Sequence, residues 1–183
     1  MILSDIDIRD ALQKEDILIR DFDENRLQPA SYDILLGHRF IVPEPHSSHF
    51  IDPVNNVFPS THEANIEEGD SFTLHPGVSV LGTSLDYFGS DMYLIQLSGK
   101  SSLARIGLIV HNTAGLINPG HFLHITLELC NLNNIPIILR PRMPIAQLLF
   151  CRLSTPSQKN YRDLGRYSAE NWKGYVPAKT LTT

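Results

Sequence analysis

The run from Ser98 to Glu128, SGKSSLARIGLIVHNTAGLINPGHFLHITLE, decides how this chain is read. It opens on a Gly99-Lys100-Ser101-Ser102 turn that leads into a helix, with Arg105 one helical turn on. An apolar segment, Ile106–His111, comes next, then the turns Thr113-Ala114-Gly115 and Asn118-Pro119-Gly120. A strand carrying one carboxylate, Ile125-Thr126-Leu127-Glu128-Leu129, closes the run. Backbone N–H groups at a glycine turn that opens a helix can cradle a phosphate. Lys100 and Arg105 can add point and forked positive charge to such a site. A P-loop is excluded, because its spacing requires glycine where Leu94 stands. Strand alternation places Ile125, Leu127 and Leu129 on one side and Thr126, Glu128 and Cys130 on the other. Glu128 is then an exposed strand acid, an ion-pair partner, or a reactive group beside an anion site.

Outside this run the same grammar of short apolar segments and turns continues. Predicted strands cover Phe72–Leu74, Val78–Thr83, Tyr93–Leu97, Ile106–His111, His124–Asn131, Ile135–Leu139 and Ile145–Leu153. Turn residues such as His75-Pro76-Gly77, Asn133-Asn134 and Pro141 divide them. Such a series predicts an all-β body, closed or double-sheeted. Upstream, Ser4 and Asp7 form a capping-box variant that opens a helix ending near Lys14, with Ile8, Ala11 and Leu12 on one face. Ile17–Ile19 reads as a short buried strand and Leu27–Ala30 as a loop. Ser31–Leu36 reads as a strand closed by Gly37, and Phe40–Val42 continues in strand character. Residues 43–70 are the least regular stretch. Their His46, His49 and His62 follow no zinc spacing and read as surface histidines.

At 183 residues and 42% hydrophobic content the chain fits one domain with a real core, neither disordered nor membrane-spanning. No apolar run reaches the roughly 18–20 residues of a membrane helix. Asp5, Asp7 and Asp10 interrupt any secretory leader. A net charge of −5 argues against broad nucleic-acid binding yet allows a small anionic ligand. Cys130 and Cys151 lie in strand-like runs without metal spacing, so a reducing, cytoplasmic setting is expected. After Ser154 the chain turns polar. Tyr161–Lys173, with its aromatics and cations, reads as a lid, and residues past about 176 as a loose tail.

Several ordered motifs then carry a family resemblance. GKSSLARIGL, TAGLINPG, ITLEL, Arg142-Met143-Pro144-Ile145 with Gln147, Met1–Asp5 and Leu27–Asp33 together resemble the dCTP deaminases of the trimeric dUTPase superfamily. The likeness runs from residue 1 to about Tyr161. It implies a distorted dUTPase-like jelly-roll or β-barrel over residues 1–154, preceded by the short N-terminal helix, and a C-terminal lid over residues 155–183. It implies a homotrimer with sites built from neighbouring subunits, dCTP as substrate, and dTTP as a candidate feedback inhibitor. No nucleic-acid or membrane partner is expected.

Deamination of cytosine needs water attack at carbon 4, a proton on the ring, and loss of ammonia. Zinc base deaminases use an HxE…PCxxC arrangement that this sequence lacks. A carboxylate must then act as general base and afterwards as general acid. The resemblance identifies Glu128 as that group, with Ser101 and Arg105 holding the water and keeping Glu128 ionised. It also implies triphosphate contacts from Lys100, Ser101, Ser102, Leu103, Ala104 and Arg105, and from Gln147 and Tyr161. Backbone groups of Ala114, Thr126 and Leu127 would meet the base. No metal ligand and no cofactor is expected, Mg2+ serving only to pair the triphosphate.

The chain departs from the family at several positions. Asn118 replaces an aspartate, Arg142 and Ala146 replace glycines, Gly120-His121-Phe122-Leu123 lacks a second glycine, and a glutamine is missing near Glu170. Asn118 keeps a carbonyl for the sugar 3′-hydroxyl but cannot be a general base. The expectation is therefore dUTP and ammonia, with dUMP minor. A dUMP-forming bifunctional enzyme and a nucleotide-binding relative without turnover are the alternatives.

Overall fold

The computed structural model describes residues 1–165. Its first residues join the body directly. Leu3 N–H donates to the Phe150 carbonyl and Arg152 N–H to the Met1 carbonyl, each at 2.9 Å. Helix α1 (Asp5–Gln13) follows, capped as the sequence predicts. The Ser4 hydroxyl accepts from the Asp7 N–H at 3.3 Å, and the Asp7 carboxylate accepts from the Ser4 N–H at 3.2 Å. Hydrogen bonds from the Ser4 hydroxyl and amide hold the Asp7 carboxyl below its ordinary range. Ile8 and Ala11 turn the buried face of α1 to the core.

The strands come next in chain order. They are β1 (Leu18–Ile19), β2 (Leu27–Gln28), β3 (Ser31–Pro43), β4 (Thr61–Asn65), β5 (Phe72–Leu74) and β6 (Ser79–Gly89). β7 (Tyr93–Gly99) leads into the one-turn helix α2 (Ser101–Ala104), and β8 (Leu108–Ile109) and β9 (Leu116–Ile117) follow. β10 (Leu123–Asn131), β11 (Ile137–Leu139), β12 (Pro144–Arg152) and the one-turn helix α3 (Tyr161–Leu164) complete the described chain. The main sheet runs β8-β10-β6-β3-β12-β7-β9, with β1 on β6 and β2 and β4 on β3, while β11 and β5 form a separate ribbon. The body is mostly β with a short N-terminal helix, as expected. No described helix is long and apolar enough to cross a membrane.

Two long strands hold the sheet together, and their side chains explain its irregularities. β3 runs straight through Gly37, where the sequence predicts a stop. A Cβ on Gly37 would lie 2.8 Å from the Thr83 carbonyl oxygen, so the glycine serves close strand approach and not a turn. Pairing of β3 with β6 shifts register between Leu36 and Phe40, and that of β10 with β6 shifts between His124 and Thr126. Such bulges free backbone N–H groups, and buried side chains take them up. The Asp86 carboxylate accepts from Leu35 N–H at 2.7 Å and from the Arg26 guanidinium at 2.6 Å. The Ser84 hydroxyl accepts from Ile125 N–H at 2.9 Å.

The core packs Tyr32, Phe40, Phe88 and Phe150, all fully buried, among Ile and Leu from both ends of the sheet. Phe40 stacks on Phe72 with ring centres 4.4 Å apart. Burial raises the Tyr32 hydroxyl above its ordinary range, and that oxygen accepts from the Asp23 N–H at 3.1 Å. The Ile106–His111 expectation shrinks to two residues of strand. Ile106 N–H still bonds the Leu103 carbonyl at the end of α2, and Gly107 at φ +83° makes the turn out of it.

Candidate active site

The site begins where β7 ends. Lys100 is the extended cap residue of α2, and its carbonyl accepts from Leu103 and Ala104 N–H at 3.0 and 2.9 Å. Leu103 packs on the core and moors the turn, while Ser101, Ser102, Ala104 and Arg105 are exposed. The first-turn amides of such a helix have no acceptor within it. Among the described residues Arg105 forms no ion pair.

Lys100 has a partner within its own chain. Its ammonium pairs at 2.5 Å with Asp33 of β3, itself buried. Asp33 lies opposite Gln147 of β12, which in turn lies opposite Ser98 of β7. The Gln147 carboxamide accepts from the Ser31 hydroxyl at 3.1 Å and donates to the Gly99 carbonyl at 3.3 Å. Lys100 and Gln147 thus belong to one polar patch across three strands, together with Ser31 and Asp33, which the sequence reading places in a family motif but gives no site role. The second Asp33 oxygen, Oδ1, is buried without a hydrogen-bond partner.

Glu128 sits on β10 with the predicted alternation: Ile125, Leu127 and Leu129 are buried, and Thr126, Glu128 and Cys130 are half-buried. One Glu128 oxygen accepts from the Asn112 N–H at 3.1 Å. That contact brings the Asn112-Thr113-Ala114-Gly115 turn over the carboxylate. Thr113 adopts φ +69°, a left-handed conformation that is costly for a β-branched residue. Such strain concentrates at functional sites. Gly115 is required by space, since a Cβ there would lie 2.9 Å from the Leu97 carbonyl oxygen. His111 beneath it carries a buried Nδ1 without a hydrogen-bond partner. Ala114 is exposed at the rim.

Asn118 is exposed in the next turn, its carbonyl accepting from His121 N–H at 3.1 Å. Tyr161, the first residue of α3, donates its N–H to the Pro119 carbonyl at 3.2 Å, so the end of the described chain lies on that turn. Most of the lid expected over Tyr161–Lys173, with Glu170, falls outside the described residues. Among the described residues, no hydrogen bond or ion pair joins Glu128 to Ser101 or Arg105 within one chain. No group of three or more His, Cys, Asp or Glu able to hold a metal is present among them either. Arg142 sits at φ +65°, a conformation that suits the glycine implied there by the resemblance, while Ala146 is fully buried.

A family model described as dCTP deaminase-like matches residues 2–153. The chain belongs to this family. It is 43% identical to a protein named "dCTP deaminase, dUMP-forming" from Tropheryma whipplei (strain Twist), over 88% of this chain and 83% of that protein. It is 41% identical to a protein of the same name from Corynebacterium glutamicum (strain R), over 88% of this chain and 86% of that protein. Among solved structures, the 2′-deoxycytidine 5′-triphosphate deaminase from Agrobacterium tumefaciens superposes with a TM-score of 0.61. That likeness has 22% identity, covers 81% of this chain and 47% of the other, and shows the shared fold.

Proposed function

We propose that the protein hydrolyses the exocyclic amine of dCTP, with Glu128 as the proton-transferring group. The observation that carries this reading is the half-buried Glu128 on the outer face of an alternating strand, under the strained Thr113 turn, in a chain of the dCTP deaminase-like family. Glu128 takes a proton from water as it adds to carbon 4, passes it to the ring, and assists the departure of ammonia. Ser101 and Arg105 of a neighbouring subunit in a homotrimer steady the water and the carboxylate. Lys100, Gln147 and the α2 amides face the triphosphate, with Mg2+ as its counter-ion and dTTP as a competing ligand.

The names of the relatives favour dUMP, so we take dUMP and diphosphate, with ammonia, as the end products. This replaces the expectation of dUTP drawn from Asn118. An asparagine cannot take the proton of the second attacking water, and the triphosphate's own oxygens are bases of the required kind. The test is phosphorus NMR of a dCTP incubation with a parallel ammonia assay. Diphosphate rising in step with ammonia is expected; persistent dUTP would limit the activity to deamination, and no ammonia would refute it.

A further inference from the structure

The Asn118-Pro119-Gly120-His121-Phe122 turn is fixed to the end of β6. Gly120 N–H donates to the Ser90 carbonyl at 2.8 Å, and the Phe122 ring occupies the space a side chain on Gly89 would need. Its outer side carries the start of the C-terminal segment through several separate contacts. Tyr161 N–H donates to the Pro119 carbonyl, and the Asn160 side chain lies against Gly120, where any Cβ would collide with it. The same Asn160 oxygen caps α3 by accepting from Arg162 N–H at 2.8 Å. The His121 and Tyr161 rings stack with centres 4.0 Å apart and planes 19° apart. The Arg162 guanidinium lies over Phe122 at 5.5 Å and pairs with Asp91 at 3.3 Å.

We infer that this turn is a docking seat for Asn160–Gly165, and that His121, through its stack on Tyr161, is a positioning residue for the nucleotide. The second half rests on the proposed function, since it takes Tyr161 as a phosphate contact. A seat that stacks an aromatic ring holds Tyr161 against Pro119 and His121 before substrate arrives, which removes part of the ordering cost of binding. The stack is between neighbouring ring faces, so its contribution is carried by aromatic area and not by the imidazole's particular nitrogens.

The test compares His121→Ala with His121→Phe in the full-length protein. Amide exchange at Tyr161 and Gly165 is measured without ligand, and dCTP affinity is measured by calorimetry alongside kcat. Alanine is expected to speed exchange and weaken dCTP binding roughly three- to tenfold, the weight of one aromatic pair, with kcat little changed. Phenylalanine is expected to restore both. Unchanged exchange in His121→Ala overturns the seat. Faster exchange with unchanged dCTP affinity overturns the positioning role. Wild-type protein that binds dCTP but releases no ammonia would refute the proposed deamination while leaving exchange and affinity to decide the inference.

Discussion

Glu128 presents one oxygen to the Asn112 N–H at 3.1 Å. Glu128→Gln keeps that acceptor and the side-chain volume but removes the proton-accepting charge. Ammonia release should fall by about 10²–10⁴-fold while dCTP affinity stays near wild type, the usual range for loss of a general base. Near-normal turnover would take Glu128 out of the chemistry. A second residue-scale prediction concerns stability. Arg142 occupies a left-handed conformation, and its guanidinium has an exposed contact to Glu68 at 3.7 Å. Arg142→Gly should raise the urea midpoint, by up to about 1 kcal/mol of stability after the glycine's own entropy is set against the relieved strain. An unchanged or lower midpoint would show that the Arg142 side chain contributes more than its backbone costs. The outer-face position of Glu128 is legible in the sequence because strand alternation separates it from the core, as it does Thr126 and Cys130, while its role as base comes from the family resemblance. Asp33 is not, because the cation that accounts for it lies 67 residues away and meets it only after three strands align.

Among the elements, α2 and β3 are joined by the Lys100–Asp33 pair, and this shapes what Lys100 can do. Asp33 is buried, and Lys100 is mostly shielded, with a quarter of its side chain exposed. Removing the ammonium leaves a carboxylate without its partner. Lys100→Met should therefore destabilise the protein by on the order of 2–3 kcal/mol, less than a fully buried pair because Lys100 keeps some water. Lys100→Met with Asp33→Asn should recover much of that loss, at matched protein concentration. Equal instability in the single and double variants would show that the pair is not the cause. Strand identity was mostly readable, since β5, β10 and β12 follow apolar runs that turns delimit. The misses have a common origin. β4 is half-exposed and polar, β2 has two residues, and β3 hides a bulge behind a glycine, so their pairing comes from neighbours and not from local pattern.

The whole molecule carries a feature that a single chain leaves unsatisfied. Ser101 on α2 and Arg105 just after it are exposed, Glu128 lies on β10, and among the described residues of one chain nothing bonds them together. Large apolar side chains are exposed as well, among them Ile106, Leu116, Leu132 and Ile135. Both facts are accounted for if a second copy covers these side chains and brings its own Ser101 and Arg105 to this Glu128. Light scattering should then give three times the chain mass, and a monomer mass in an active preparation would exclude the arrangement. Mass alone does not locate the site, so complementation carries the argument further. Glu128→Gln and Arg105→Ala should each be inactive alone. Mixed, dissociated and reassembled, they form some interfaces where the intact Glu128 of one chain meets the intact Arg105 of another. Random assembly places such wild-type pairs at about one site in four, so roughly a quarter of wild-type deamination should return. A site contained within one chain predicts none, because every chain in the mixture then carries one of the two lesions.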